Sequence, residues 1–242
     1  MEAARVLKLR GHNPVIYEKS DHLGGTFVPA SAESYKGKLR ALLQWYIRQM
    51  EKLEIEIHLN TEIKSAAEFA GKELIIATGS APRILRRVPG NEKMIEACDY
   101  LNGAEVGQRV AVIGGGLTGC EIAYELALLG KEPIIVEMKD DLVSQKGVCL
   151  ANSSYLREWF ELHGTPVYLE TTLKEVKDGA IICTGKDKQD IEIPCDSVIS
   201  SAGYLPAPLA ASGKHVRFVG DCKQVGNLRS VIWGAYEAAM EI

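Results

Sequence analysis

The sequence predicts an α/β fold in which helices pack on parallel sheets in two similar units, and three observations carry that expectation. A strand pattern, a glycine-rich turn and a helical pattern follow one another over residues 109–129 and lead into a second strand. The order helix, glycine, apolar strand, glutamate occurs twice, at residues 2–18 and again at 121–137. Short apolar strand candidates alternate with helical periodicities along the chain, as crossover-connected parallel strands require.

Residues 1–10 hold helix formers and stop at Gly11, a residue suited to the C-terminal end of a helix. Pro14 to Tyr17 reads as a short strand ending in Glu18-Lys19, with the glycines Gly24-Gly25 beyond it. Leu39, Leu42, Leu43, Tyr46, Ile47 and Met50 recur at helical spacing over residues 35–53, and residues 54–59 alternate as a strand does. Leu74 to Ala77 reads as a buried strand closed by Thr78-Gly79, and a connection is expected over residues 83–104.

A complete strand–helix–strand unit comes next: a strand at 109–113, a turn at 114–119, a helix at 120–129 stopped by Gly130, and a strand at 133–136. A helix at about 151–162 leads to strands near 166–169, 180–183 and 191–199. A strand at 215–219 ends in Gly220-Asp221, and a helix at about 227–241 finishes the series. These elements divide the chain into a discontinuous domain, residues 1–82 and 200–242, and an inserted one, residues 105–199.

With 242 residues, of which 46% are hydrophobic and 25% charged, the chain can bury the core of one large or two modest domains. Its net charge of −4 gives no basic field for nucleic acid, and the cluster Arg83, Arg86, Arg87 reads as a solvated turn. No apolar run approaches the roughly 18–20 residues of a membrane span, and the start lacks a secretory signal, so a cytoplasmic protein is expected. The six cysteines form no C-x-x-C pair, which removes the usual support for dithiol, iron–sulfur or zinc chemistry. The five histidines lack ligand spacing, so no metal site is expected, and nothing resembles a nucleophile turn. Trp159 and Trp233 fall in helical patterns and read as packing residues.

The chemistry gathers at Gly114-Gly115-Gly116-Leu117-Thr118-Gly119. The first glycine of this G-x-G-x-x-G permits the tight turn, Gly116 lets backbone approach a pyrophosphate, and Gly119 permits close helix–strand packing. The N-terminus of the helix that follows the turn presents unpaired N–H groups to phosphate charge. Glu137, at the end of the next strand, is placed to accept the adenosine ribose hydroxyls and to repel a 2′-phosphate, which favours NADH over NADPH; Lys139 is the nearest base. Glu18 holds the equivalent place in the first unit, where Gly25 would allow backbone to approach a second dinucleotide. Thr78-Gly79 marks a strand where the chain leaves one domain, and Asp221 after Gly220 can accept a ribitol hydroxyl. The positive end of the following helix would stabilise the negative charge of a reduced flavin.

The segments MEAARVLKLRGH, VIYEKSDHLGG, ATGSAPR, RVAVIGGGLTGCEIAYELALLGK, VEMKDDL, SAGYLP and FVGDC resemble, in residues and in order, one part of a known family. It is the C-terminal flavoprotein part of the NADH:flavin oxidoreductases related to old yellow enzyme. That group includes 2,4-dienoyl-CoA reductases, enoate reductases and trimethylamine dehydrogenase, within the pyridine nucleotide-disulfide oxidoreductase-like superfamily. The resemblance implies two Rossmann-like dinucleotide-binding domains of the FAD/NAD(P)-binding fold. It implies FAD contacts from Glu18, Lys19, Gly25, Thr78, Gly79, Gly220 and Asp221, a cofactor contact at Gly203, and NAD(H) contacts from Gly114, Gly116, Leu117, Thr118, Gly119 and Glu137.

By the same resemblance, hydride passes from nicotinamide to flavin, and electrons continue through an iron–sulfur cluster to FMN in an N-terminal barrel, a partner outside these residues. The family's first strand and its FAD-binding glycine turn precede the helix that begins at Met1, so an N-terminally truncated FAD domain is expected. Leu205 stands where family members often carry arginine. The expected function is an NADH-to-FAD reductase module acting with the rest of a larger protein on an enoate or dienoyl-type substrate. The alternative is a nucleotide-binding fragment with no catalysis of its own. A self-contained dehydrogenase is disfavoured, since no proton-relay constellation is present.

Overall fold

The computed structural model describes residues 1–145 and 147–242, which gather into two compact units. One comprises Met1–Ser31, Lys36–Ala81 and Tyr204–Ile242; the other comprises Ala32–Tyr35 and Pro82–Gly203. Among the described residues, no helix is long and apolar enough to cross a membrane.

The second unit is built on a five-stranded parallel sheet in the order Ile95–Glu96, Ser197–Ser200, Arg109–Ile113, Glu132–Val136, Val167–Tyr168. Arg109–Ile113 and Glu132–Val136 are buried from their second residue onward, the near-continuous apolar run of strands covered on both faces. Successive side chains point to opposite faces. Val110 and Val112 therefore join Ile122, Leu126, Leu156 and Phe160 of the helices Leu117–Leu128 and Leu150–Leu162. Ala111 and Ile113 join Leu173, Val176, Ile181 and Ile193 of a three-stranded antiparallel sheet.

The structure departs from the expected elements at three places. The stretch 191–199 is two strands in two different sheets, Asp190–Pro194 in the antiparallel one and Ser197–Ser200 in the parallel one. The chain turns at Cys195-Asp196, where the Asp196 carboxylate accepts the Arg109 N–H at 2.7 Å. A strand at Thr172–Lys177 is absent from the sequence expectation, because its apolar residues Leu173 and Val176 stand three apart. Pairing shifts register between Ile182 and Cys183, and this bulge lets both point inward although they break the two-residue period. The segment 83–104 holds an edge strand, Ile95–Glu96, and a helix, Ala97–Leu101, both too short to show periodicity.

In the first unit, Val15–Tyr17 pairs in parallel with Glu56–His58, and Leu74–Ile76 pairs in parallel with Val216–Phe218. These are separate two-stranded sheets, each with its own small core. Met50 of the helix Gly37–Lys52 packs with Ala4, Ile16, Ile55 and Ile57. Val6 and Leu7 of the helix Glu2–Leu9 pack with Ala239 of Leu228–Met240 and with Ile75. Ser80–Pro82 pairs with Tyr204–Pro206 in a third short ladder.

Candidate functional site

The turn between Arg109–Ile113 and Leu117–Leu128 tolerates only glycine at its ends. Gly114 has φ +111°, and a Cβ there would meet the Ser201 carbonyl oxygen at 2.3 Å. At Gly119 a Cβ would lie 1.9 Å from the Gly114 carbonyl oxygen, so the first turn of the helix rests directly on the glycine loop. Gly116 differs, since it is extended backbone whose Cβ would meet only the Gln145 side chain, no nearer than 3.4 Å. It is the N-cap of a 12-residue helix with no side-chain cap, so the first-turn N–H groups at Leu117 and Thr118 are not spent on one. Uncapped amides at the positive end of a helix dipole, with only the Gln145 side chain near the N-cap, are suited to an anion.

Gly115, which the fingerprint leaves unspecified, is crowded too, but by side chains and not by backbone. A Cβ on it would lie 2.5 Å from Leu142 Cδ2 and 3.0 Å from Glu137 Cβ. Its N–H donates to Glu137 Oε2 at 2.6 Å, and its carbonyl accepts from Val143 N–H at 2.8 Å and from the Cys120 thiol at 3.3 Å. Glu137, 7% exposed, also accepts the Lys139 backbone N–H on Oε1 at 2.8 Å. Two backbone amides thus aim the carboxylate, and each oxygen retains a lone pair for another donor. Burial, helped by the Glu137 charge, pushes the Cys120 thiol up to about 12, so it stays protonated and keeps donating. One residue beyond Glu137, Met138 is 71% exposed and borders a cleft of about 450 Å³ with Thr172, Leu173, Lys174 and Lys186.

In the first unit, Glu18 follows Val15–Tyr17; its N–H donates to the His58 carbonyl at 2.9 Å. Its Oε1 accepts both the N–H and the hydroxyl of Ser20, at 2.9 and 2.7 Å, and Lys19 beside it is exposed. Gly25 has φ +50° and open space around it. The Thr78 hydroxyl is engaged within the chain, donating to the Ala207 carbonyl at 2.8 Å and accepting the Leu209 N–H at 3.2 Å. The Gly79 carbonyl accepts the Ala207 N–H at 3.0 Å. Gly220 has φ +65°, and Asp221 accepts Gly226 N–H at 3.1 Å and the Ser80 hydroxyl at 3.3 Å. The helix Leu228–Met240 then begins at Asn227 with a reciprocal Asn227–Ser230 cap. The pairing of Leu74–Ile76 with Val216–Phe218 is what brings Ser80 to Asp221, a partnership that no spacing in the sequence announces.

Gly203, at φ +89°, belongs to the second unit, where its carbonyl accepts the Arg83 N–H at 2.9 Å. Among the described residues, no hydrogen bond or ion pair joins Glu18 to Thr78 or Asp221, and no group of three or more His, Cys, Asp or Glu is placed to hold a metal.

Residues 1–221 match the family model described as pyridine nucleotide-disulphide oxidoreductase. The chain belongs to that family. Over its whole length, this family member is 36% identical to cinnamate reductase of Clostridium sporogenes and 28% identical to NADH oxidase of Thermoanaerobacter brockii. It spans 37% and 39% of the length of those two proteins. Its structure superposes on that of a 2-naphthoyl-CoA reductase with a TM-score of 0.87 at 27% identity, covering all of this chain and 38% of the other. Thioredoxin reductase of Lactococcus lactis shares the fold, with a TM-score of 0.81 at 18% identity over 99% of this chain and 93% of its own. The expected α/β architecture with FAD/NAD-binding units is borne out, and so is the resemblance to the reductase part of the flavin oxidoreductases. The proteins it resembles over its whole length are named as a reductase and an oxidase.

Proposed function

We propose that this chain is the NADH-to-FAD electron-transfer module of a larger flavin oxidoreductase. The observation that carries the reading is the joint placement of an uncapped helix N-terminus at Gly116 and a carboxylate, Glu137, aimed by the Gly115 N–H. Gly114, Gly116 and Gly119 shape the pyrophosphate cradle, and Leu117 and Thr118 supply its amides. Glu137 takes the adenosine ribose hydroxyls, and the cleft beside Met138 has the volume for the adenine. NADH is favoured over NADPH, because Lys139 gives Glu137 its backbone N–H and a 2′-phosphate would face the carboxylate.

In the first unit, FAD is held by Glu18 and Asp221 through hydroxyl groups and by Lys19, Gly25, Thr78, Gly79 and Gly220 along the backbone. The domain division is 1–82 with 200–242 around 105–199, joined by 83–104. Nicotinamide and flavin supply the hydride transfer, while the residues here bind, orient and polarise. An enoate or dienoyl-type substrate is supported by the names of the cinnamate and naphthoyl-CoA reductases, and an N-terminal FMN and iron–sulfur barrel by the greater length of the relatives. A cytoplasmic location completes the reading.

One observation favours a second reading, a nucleotide-binding fragment without catalysis: the two parallel strand pairs of the first unit are not hydrogen-bonded into one sheet. The visible absorption spectrum of the protein, taken after incubation with FAD and gel filtration, separates the two. A retained flavin band that bleaches with NADH supports the electron-transfer module. NADH binding by a folded, colourless protein supports the fragment, and binding of neither cofactor removes both.

A further inference from the structure

We infer that residues 138–143 form a clamp over the glycine turn, and that Arg157 is the positioning residue that keeps the clamp closed and so sets the selectivity of the dinucleotide site. The inference rests on the proposed NAD(H) reading of the second unit and goes beyond its glycine and glutamate contacts.

The first observation is strain. Val143 has φ +48°, a left-handed conformation that a β-branched residue adopts only when its surroundings impose it. The surroundings are specific: Val143 is 3% exposed, and its N–H donates to the Gly115 carbonyl at 2.8 Å. Its neighbour Leu142 is buried, with Cδ2 so close to Gly115 that only a hydrogen fits between them. The loop therefore presses on Gly115, whose carbonyl takes the Val143 N–H and whose own N–H, in the preceding peptide unit, aims Glu137.

The second observation is what holds the loop down. Arg157, on the neighbouring helix Leu150–Leu162, donates from Nε and Nη2 to the Leu142 carbonyl at 3.0 and 2.6 Å, and pairs through Nη2 with Asp141 Oδ2 at 2.7 Å. A planar guanidinium can direct two N–H groups to one oxygen and still reach a carboxylate, whereas an ammonium cannot reproduce that fork. Contacts thus run from Arg157 through Leu142 and Val143 to the Gly115 carbonyl, and from the Gly115 N–H to Glu137. Arg157 does not hydrogen-bond the glycine turn or Glu137 itself. Without its two bonds the strained Val143 is free to relax toward an extended backbone, Gly115 loses the bond that fixes its carbonyl and rotates about its Cα, and Glu137 loses one of the two amides that point it at a ribose.

The test is fluorescence titration of the full chain with NADH and, separately, NADPH, at a temperature where circular dichroism shows every variant folded. Arg157→Met is expected to weaken NADH roughly tenfold, the loss of charge-assisted hydrogen bonds, while NADPH changes little, so that discrimination between the two collapses. Arg157→Lys, which keeps stem and charge without the fork, is expected to fall between the two and remains informative if the methionine variant does not fold. Equal weakening of both nucleotides would reduce Arg157 to a general stabiliser and overturn the inference. NADH bound by the lysine variant as tightly as by the unsubstituted protein would do the same. If the unsubstituted chain binds NADPH as well as NADH, or neither, the nucleotide reading fails first and the selectivity role of the clamp with it.

Discussion

Glu137 and Gly115 act as a pair. The carboxylate is held buried at a strand end against a residue that has no side chain and offers its N–H. Reversing the charge at this point is the direct test of cofactor choice: Glu137→Arg is expected to move preference from NADH toward NADPH, and calorimetry showing unchanged relative affinities would take Glu137 out of the ribose site. Cys120 supplies a third bond to the backbone of Gly115, through its carbonyl, and its thiol is raised from 9 to about 12. A raised thiol favours the folded state fully below the unfolded value and loses that contribution as pH climbs toward the folded one. Urea midpoints of the natural protein should thus fall between pH 9 and pH 12 more steeply than those of Cys120→Ala. Parallel slopes would show that the thiol titrates in the folded protein as it does in the unfolded one. Tyr46, Tyr100 and Tyr124 are also raised to about 12, and their effect cancels in the comparison.

Among the elements, the helix Leu150–Leu162 has two jobs. Its inner face fills the core and its Arg157 reaches the Leu142 carbonyl beside the glycine turn. Phe160 is 2% exposed against the parallel sheet, whereas Leu162, at the C-terminal end of the helix, is 82% exposed. Phe160→Ala should cost about 3–5 kcal/mol in chemical denaturation, and Leu162→Ala within about 0.5 kcal/mol of nothing. Similar losses at the two positions would mean that the helix packs differently from the arrangement described. Strands were the harder elements to read. Arg109–Ile113 and Glu132–Val136 announce themselves as unbroken apolar runs, but Thr172–Lys177 hides behind a bulge, and the run 191–199 conceals a change of sheet at Cys195-Asp196. Periodicity reports which side chains are apolar along a segment, and it is silent about which ladder the backbone joins.

At the scale of the whole molecule, two cofactor sites assigned to two compact units make a thermodynamic prediction. A ligand stabilises the structure that binds it, by about 2.7 kcal/mol at a hundredfold excess over its dissociation constant. In scanning calorimetry, NADH should therefore raise the transition belonging to Pro82–Gly203, and FAD the one belonging to Met1–Ser31, Lys36–Ala81 and Tyr204–Ile242. A shift of the opposite transition by either nucleotide would contradict the assignment of sites.

By itself, the sequence determined the α/β class, the helices that flank both strand–glutamate segments, and the glycine turn with its acid at residue 137. Those features are written locally, in the steric freedom of glycine, the period of apolar side chains and the spacing of one strand–helix–strand unit. Only the tertiary structure decided that Leu142 and Glu137 crowd Gly115, that Ser80 meets Asp221, and that Arg157 and a strained Val143 bear on the turn. Each of these is a contact between segments whose distance along the chain carries no signal, and it exists only because parallel pairing and helix packing bring their backbones to the same end of a sheet.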